Sequence, residues 1–155
     1  MKKKCLAEQD CPLARGYNAI GDWWSLLIIS QIVLGGLRRF NELQESLGMA
    51  KNILTARLKK LVDQGILEKV PAAEGAHHEY VATEIGRDLY TVLVALRQWG
   101  AKHFAMSCGE KHILVDREAQ KPVAPLEVRA SDGRVLEVDD MEVVSAAAVE
   151  PSNSR

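Results

Sequence analysis

The distribution of apolar and polar residues, with Pro12 and Asp22 as start signals, predicts two helices near the start of the chain. Pro12 suits the first position of a helix, so we expect a short helix from Pro12 to about Ile20 with Cys11 at its cap. Asp22 is a good cap for a second helix, about Trp23 to Leu34. The second helix is apolar nearly all round, which predicts that it lies at the centre of the core.

Two further helices are expected at about Asn41 to Leu47 and about Lys51 to Gln64, separated by Gly48-Met49-Ala50. A helix pair joined by a three- or four-residue turn containing glycine is typical of a helix-turn-helix. The second helix of such a pair enters the major groove of DNA.

A hairpin and a long helix are predicted next. Ile66–Val70 and Glu79–Ala82 have the composition of strands and flank a turn at Pro71–Ala76. Thr83 caps a last helix, about Glu84 to Ala105, with apolar residues spaced three and four apart. Four helices, a hairpin and a helix are the order of a winged helix-turn-helix. We therefore expect an α+β fold, mostly α, whose long C-terminal helix serves dimerisation.

The pattern changes after residue 110. Leu126–Ala130 and Arg134–Val138 alternate and flank Ser131-Asp132-Gly133, which predicts a small C-terminal β-hairpin extension. The expected organisation is a flexible tail at 1–10, a winged-helix domain at 11–107, the hairpin extension at 108–145 and a disordered tail at 146–155.

Composition indicates an ordinary globular protein. Of 155 residues, 47% are hydrophobic and 26% are charged, which excludes disorder of the whole chain. No apolar run approaches the roughly 20 residues that a membrane helix needs, and no apolar signal core follows the basic N-terminus. Because the chain has three cysteines, at least one of them cannot form a disulfide within a monomer, which suits a reducing compartment. We expect a cytoplasmic protein without membrane contacts.

The net charge of −1 hides an uneven distribution. Residues 1–110 carry 14 Lys or Arg against 12 Asp or Glu, a balance of +2, and residues 111–155 carry 6 against 9, a balance of −3. Lys51 to Lys60 holds four basic residues and no acid. A local basic face of this kind favours a nucleic-acid partner.

The fourth helix has two chemically different faces. Leu54, Leu58 and Leu61 share one side and are expected in the core. Polar residues near the start of a recognition helix reach base edges, and basic residues further along contact phosphates. The residues expected at DNA are Arg38, Arg39, Asn41, Lys51, Asn52, Thr55, Arg57, Lys59 and Lys60.

Several short motifs strengthen this interpretation. They are Cys11-Pro12, Ile20-Gly21-Asp22-Trp23, Arg39-Phe40-Asn41-Glu42-Leu43, Leu54-Thr55-Ala56-Arg57-Leu58, Gly65-Ile66-Leu67, Glu79-Tyr80, Thr83-Glu84-Ile85-Gly86 and Trp99-Gly100. With these motifs the sequence resembles the HxlR-type regulators, a branch of the winged-helix transcription factors related to MarR proteins, over about residues 11–104. The resemblance implies a homodimeric regulator that binds double-stranded operator DNA, with repression favoured over activation.

Three positions depart from the pattern of that family. Asp22 stands where a basic residue is usual, and Ala50 replaces a small polar cap, so a capping hydrogen bond is lost. His77 and His78 stand where the wing commonly carries Arg or Lys. We expect these histidines to contact phosphate more strongly when protonated, since free histidine titrates near about pH 6.5. Two exposed histidines without a role are the alternative.

Cys11 is the candidate redox switch. At a helix N-terminus the backbone N–H groups stabilise a thiolate, although the neighbouring Asp10 opposes this. Some members of the family that the sequence resembles use a cysteine at this place to sense oxidants or electrophiles. The alternative is a small, half-buried side chain without redox function.

Two other ligand hypotheses are weaker. The soft ligands available for zinc are Cys5, Cys11, His103, Cys108 and His112. No pair of them has a tight metal-binding spacing, so no metal or other cofactor is expected. Trp23, Trp24 and the last helix form either the lining of an effector pocket or plain core.

Three classes of function remain to be compared. A DNA-binding homodimer that pairs through the last helix and the N-terminal helix is favoured, because the apolar stripe over residues 89–99 exceeds the needs of one small core. The alternative is a winged-helix protein–protein interaction module, which the acidic C-terminal part and a pI of 6.4 would suit. An enzyme is not expected, because no catalytic triad, paired-carboxylate or zinc-hydrolase spacing occurs.

Overall fold

A computed structural model describes residues 10–72, 77–105 and 107–148. The chain divides into two compact units, Met1–Arg97 and Gln98–Arg155. Its helices and strands are α1 (Pro12–Ile20), α2 (Trp23–Val33), α3 (Phe40–Leu47), α4 (Lys51–Asp63), β1 (Leu67–Pro71), β2 (His78–Ala82), α5 (Glu84–Asp88) and α6 (Tyr90–His103). This order confirms the predicted fold class, which is mostly helical with one antiparallel hairpin.

The helix starts follow the predicted caps. Asp22 Oδ1 accepts a hydrogen bond from the backbone N–H of Ser25 at 3.1 Å and so caps α2. Thr83 Oγ1 accepts one from the backbone N–H of Gly86 at 3.2 Å and caps α5. Cys11 occupies the cap position of α1, directly before Pro12.

The prediction of one long last helix, from Glu84 to about Ala105, is wrong in one respect. The structure divides it at Leu89 into α5 and α6. Contacts outside the helix accompany this division, because the start of α5 is held to the chain before β1 and to the end of β2. The Thr83 hydroxyl donates to the Gly65 carbonyl at 2.7 Å, and Arg87 Nη1 donates to the Ala82 carbonyl at 2.8 Å. Periodicity along a helix cannot reveal such contacts.

Strands β1 and β2 pair from Leu67 opposite Ala82 to Pro71 opposite His78. The segment before α3 joins the edge of β2, since the backbone N–H of Tyr80 donates to the Arg38 carbonyl at 2.8 Å. The predicted turn at Pro71–Ala76 is described only at its beginning, because residues 73–76 lie outside the described part of the chain.

The core lies between α2, α4 and the hairpin. The predicted inward residues of α4, Leu54, Leu58 and Leu61, are fully buried. Ile28 and Ile29 of α2 are fully buried beside them. The expectation that α2 lies at the centre of the core holds for one side of the helix only, since Trp23 is 60% exposed and Leu27 is 39% exposed.

The second unit contains little regular structure. The second hairpin predicted at residues 126–138 is present in short form, as an antiparallel bridge of Arg129 with Val135 around a turn with Gly133 at φ 90°. The Leu136 N–H donates to the Val128 carbonyl and the Ala130 N–H to the Arg134 carbonyl, both at 2.8 Å. The Asp132 carboxylate accepts the backbone N–H of Arg134 at 3.0 Å, so the turn itself forms as expected. Gln98 binds the segment that leads into this turn, donating to the Ala124 carbonyl at 2.9 Å and accepting from the Leu126 N–H at 2.8 Å.

Ala146–Ala148, at the start of the predicted disordered tail, form a short 3-10 turn, and residues 149–155 lie outside the described part. The flexible tail expected at residues 1–10 also falls outside it, except for Asp10. The predicted limits of the domain and its tails remain predictions. None of the described helices is both long and apolar enough to cross a membrane.

Gly86 provides a test of the packing between α5 and β1. A methyl group at this position would overlap the backbone carbonyl oxygen of Ile66. We expect Gly86→Ala to destabilise the protein by about 1–3 kcal/mol, because a backbone oxygen cannot move aside as a flexible side chain can. Urea unfolding followed by circular dichroism measures the change.

The matched control is Gly16→Ala in α1, where nothing lies within 4 Å of the added methyl group. This change should stabilise its helix by roughly 0.5–1 kcal/mol. Equal effects of the two substitutions would contradict the close approach at Gly86.

Candidate nucleic-acid interface

The turn between α3 and α4 is built by three consecutive residues. Gly48 ends α3 in the left-handed region at φ 61°, which a residue with a side chain rarely adopts. Met49 is buried, and the Ala50 carbonyl accepts the backbone N–H groups of Ile53 and Leu54 at 3.0 and 3.1 Å. As predicted, the Ala50 side chain makes no capping hydrogen bond, so it accepts none of the backbone N–H groups in the first turn of α4.

The start of α4 presents polar side chains to solvent. Lys51, Asn52 and Thr55 are all exposed. The Thr55 hydroxyl donates to the Lys51 carbonyl at 2.8 Å and so is held against its own helix. The first turn contains no acidic residue, so the positive end of the helix dipole and the Lys51 ammonium act in the same direction.

The basic residues further along α4 already have partners within the chain. Arg57 Nη1 lies 2.9 Å from Asp22 Oδ2, and Lys59 Nζ lies 3.1 Å from Asp63 Oδ2. The Lys60 ammonium lies against Gly21, where a side chain would overlap it. Arg57 and Lys60 therefore contact the junction of α1 and α2, a role that the sequence analysis did not anticipate.

A cleft of about 630 Å³ lies between the start of α3 and the hairpin. Its lining includes four residues predicted for DNA, which are Arg39, Asn41, His77 and His78. Lys69 of β1 also lines the cleft and was missed. The strand register contained a signal for it, because Lys69 pairs with Tyr80, a second lining residue, and directly paired side chains share one face of a hairpin.

Carboxylates offset part of the positive charge of this cleft. Arg39 Nε lies 3.5 Å from Glu79 Oε1. Glu42 Oε2 accepts the backbone N–H groups of Arg39 and Arg38 at 3.0 and 3.3 Å, and these hydrogen bonds lower the pKa of Glu42. Burial raises the pKa of Tyr80, which keeps its phenol neutral near neutral pH.

The thiol of Cys11 is exposed at the start of α1, and that of Cys108 is exposed in the second unit. Cys5 lies outside the described residues. Within the described ranges, no three His, Cys, Asp or Glu side chains are grouped so that they could hold a metal ion. Trp23 and Trp24 stack on each other with ring centroids 3.9 Å apart.

An exposed polar helix start after a glycine turn, followed by a two-stranded hairpin, is the arrangement of a winged helix-turn-helix protein. The chain matches the model of the HxlR-like helix-turn-helix family over residues 19–107. This match covers more than half of the sequence, and the protein belongs to that family.

Individual relatives agree with this assignment. An uncharacterized HTH-type transcriptional regulator of Mycobacterium tuberculosis is 38% identical over 92 residues, which are 59% of this chain and 58% of the relative. The chain thus spans little more than half the length of that relative. Bacillus subtilis YdeP, also named an uncharacterized HTH-type transcriptional regulator, is 28% identical over 97 residues, which are 61% of this chain and 75% of YdeP.

Solved structures extend the comparison to the second unit. PA1607, a candidate transcription factor, aligns with a TM-score of 0.85 and 45% identity over 91% of this chain and 99% of its own. The reduced form of the redox regulator HypR aligns with a TM-score of 0.54 and 25% identity over 61% of this chain and 94% of its own.

The contact between Arg57 and Asp22 should stabilise the fold. A double-mutant cycle with Arg57→Ala and Asp22→Ala is expected to give a coupling free energy of about 1 kcal/mol, because both groups are partly shielded from water. The loss of the α2 cap occurs in both Asp22 variants and therefore cancels in the cycle. Urea unfolding of the four proteins measures the coupling.

Lys59 and Asp63 form the matched control, since this pair lies four residues apart on one helix and is exposed. Its coupling should be only roughly 0.3–0.5 kcal/mol. A coupling between Arg57 and Asp22 no larger than this would show that their contact does not hold α4 to α2.

Proposed function

We propose that this protein is a sequence-specific DNA-binding regulator of transcription that acts as a homodimer, with repression favoured over activation. The observation that carries the proposal is the exposed start of α4, where Lys51 and Asn52 stand without acidic neighbours on a helix-turn-helix of a regulator family. In related arrangements the N-terminal residues of the second helix contact base edges.

The DNA contact proposed for each side chain follows from its type and its surroundings. Asn52 and Lys51 read bases, since Asn suits adenine and Lys suits guanine. Thr55, Asn41 and Lys59 are proposed to lie at the rim of the major groove. The cleft residues Arg39, Lys69, His77 and His78, together with Arg38, are proposed to follow the phosphate backbone along the hairpin.

Arg57 and Lys60 are proposed to contribute less to DNA contact than the sequence predicts. Their side chains contact the α1–α2 junction, so a phosphate would have to compete with Asp22 for Arg57. We infer that they position α4 and contact DNA only secondarily.

A second copy of the chain is the proposed partner of α6. Val92, Leu96 and Trp99 remain about half exposed along this helix, on an apolar face that a single chain does not cover. Pairing of two chains would present two copies of α4 to half-sites about 34 Å apart, one turn of the duplex.

The DNA-binding proposal is tested with duplexes selected by the protein from a random library. Asn52→Ala should weaken binding to the selected sequence by about 1–3 kcal/mol and reduce the discrimination against changed bases. Lys59→Ala should weaken binding to all sequences alike and reduce the salt dependence of the affinity. Fluorescence anisotropy at several salt concentrations gives both quantities, and titration at high concentration gives the number of chains per duplex.

The matched control is Lys111→Ala, which removes one exposed lysine from the second unit. Its affinity and salt dependence should equal those of the unmodified protein. Failure to select any duplex would favour the protein–protein interaction module instead. An effect of Asn52→Ala no larger than that of Lys111→Ala would show that α4 does not read the sequence.

We also propose that Cys11 switches DNA binding when it is oxidised. Its thiol is exposed at the N-terminal cap of α1, and HypR, named as a redox regulator, shares the fold. Diamide takes two electrons and two protons from a pair of thiols, here Cys11 together with Cys5 or with a cysteine of the second chain in the proposed homodimer, and leaves them joined as a disulfide. This disulfide should lower the DNA affinity at least about tenfold, a change of roughly 1.4 kcal/mol. A thiol reductant should restore it.

The cysteine variants identify the responsible thiol. Cys11→Ser should bind DNA normally and ignore diamide, whereas Cys108→Ser should keep the response. If Cys11→Ser loses affinity on oxidation as the unmodified protein does, the switch is not at Cys11.

A further inference from the structure

The second unit differs from the first in having no core among its described residues. All the buried apolar side chains of the described residues belong to the first unit, between Ile28 and Val94. In the described part of the second unit, residues 98–105 and 107–148, no residue is buried. Eleven large apolar side chains of this part are exposed instead, among them Leu126, Val128 and Val138. The second unit therefore has an apolar surface where a fold of its size would have an interior.

This unit nevertheless has a defined conformation. Gln98 Nε2 donates to the Ala124 carbonyl at 2.9 Å, and Gln98 Oε1 accepts the Leu126 N–H at 2.8 Å, so the end of α6 holds the middle of the unit. The Val123 N–H donates to the Leu114 carbonyl at 3.0 Å. The solved structure of PA1607 shares this arrangement, since it aligns over 91% of this chain with a TM-score of 0.85, a length that includes most of the second unit.

Hydrogen bonds alone do not account for a defined unit of this size. Ordering a chain costs conformational entropy at every residue, and hydrogen bonds that water can reach offset little of that cost. Burial of apolar surface is the main stabilising contribution, and domains of about 60 residues are marginally stable even when they have a core. The second unit therefore needs a cover that the described residues of its own chain do not provide.

The position of the apolar surface indicates a second copy of the chain as the cover. Trp99 is the last residue of the apolar face of α6 that is proposed to pair two chains, and it lies in the second unit about half exposed. The exposed surface of this unit thus starts on the helix of the proposed interface. Gln98, the neighbouring residue of that helix, fixes the middle of the unit to it. Pairing of two α6 helices would bring each second unit close to the other chain.

Charge favours the first unit of the second copy as the surface that is contacted. Residues 98–155 carry 7 Lys or Arg against 10 Asp or Glu, a balance of −3, and residues 1–97 carry 13 against 11, a balance of +2. Two second units would therefore repel each other, whereas a second unit and a first unit attract. The first unit also offers apolar contacts, since Leu13 and Tyr17 of α1 are exposed.

We propose that residues 98–148 are an arm that packs on the first unit of a second copy of the chain and completes the dimer. This inference rests on the proposed homodimer and adds a second contact to the pairing of α6. In a symmetric dimer the contact occurs twice, so each apolar side chain of the arm acts at two equivalent places. The arm contains none of the residues proposed to contact DNA, and it can be tested without DNA.

Sedimentation equilibrium of the full chain measures the dissociation constant of the dimer. Val128→Ser combined with Val138→Ser should raise this constant at least about tenfold, because two apolar contacts are lost at each of two equivalent places. The control is Ile53→Ser, which removes an exposed apolar side chain from α4 and should leave the constant unchanged. Circular dichroism checks that each variant is folded.

Hydrogen exchange followed by mass spectrometry shows whether the second copy orders the arm. The N–H groups of Leu126 and Leu136 donate hydrogen bonds within the arm. Peptides over residues 123–138 should exchange at least about tenfold faster well below the dissociation constant of the dimer than well above it, because the arm has no core to hold it in a monomer. The buried segment 54–61 of the first unit should change little and is the internal control.

Three results would overturn the proposal. The first is a dimer that Leu96→Ser on α6 weakens and the two valine substitutions do not, which would leave the proposed homodimer intact without the arm. The second is exchange of residues 123–138 that is the same at both concentrations, whether fast or slow, because a second copy would then not order them. The third is a chain that stays monomeric up to about 100 μM. That result would also contradict the homodimer, but it would leave sequence reading by Asn52 to its own DNA-binding test.

Discussion

Burial of one face of α4 is the constraint on which the rest of this structure depends. Leu54, Leu58 and Leu61 are completely removed from water, and burial of a leucine side chain contributes about 1.5–3 kcal/mol each. Rotation of α4 by one residue position, about 100°, would expose these side chains and bury polar ones. The direction in which Asn52 points is therefore set by hydrophobic burial on the opposite side of the helix. The proposed chemistry of the outer face relies on the packing of the inner one.

The basic residues of the first unit fall into two groups that differ in their partners. The side chains of Arg39, Arg57 and Lys59 each form an ion pair with a carboxylate of the same chain, whereas those of Lys51 and Arg38 form none within the described ranges. A paired cation attracts a distant anion less than a free one, because its field is largely cancelled within a few ångströms. The overall charge of −1 is thus compatible with a surface on which a few positions act as strong anion contacts and the others serve the fold.

Local chemistry explains which features could be predicted from the sequence. The caps at Asp22 and Thr83, the glycine turn at Gly48 and the inward leucines of α4 depend on neighbours within a few residues, and all four are confirmed. The division at Leu89 could not be predicted, since it accompanies contacts beyond the helix, such as that of Arg87 with the Ala82 carbonyl of β2. The pairing of Asp22 with Arg57 joins residues 35 positions apart, and no local pattern contains that information.

Lys69 shows an intermediate case. Its place in the cleft follows from the hairpin register, which becomes readable only when both strand positions are known. The first strand is expected one residue too early at both ends, and the second is expected to start one residue too late. A slip of one residue in the pairing register reverses the face on which a side chain lies. Site residues on strands are therefore harder to predict than those on helices of the same chain.

Asp22 makes two structural contacts with one carboxylate. One carboxylate oxygen caps α2 and the other holds Arg57 of α4. The orientation of the proposed reading helix is thus linked to the first turn of α2 by a side chain that lies outside α4. Evolution can alter how firmly this protein holds DNA by exchanging a residue that need never touch it, and inherited variation in affinity among related chains should be sought at this junction as well as on the reading face.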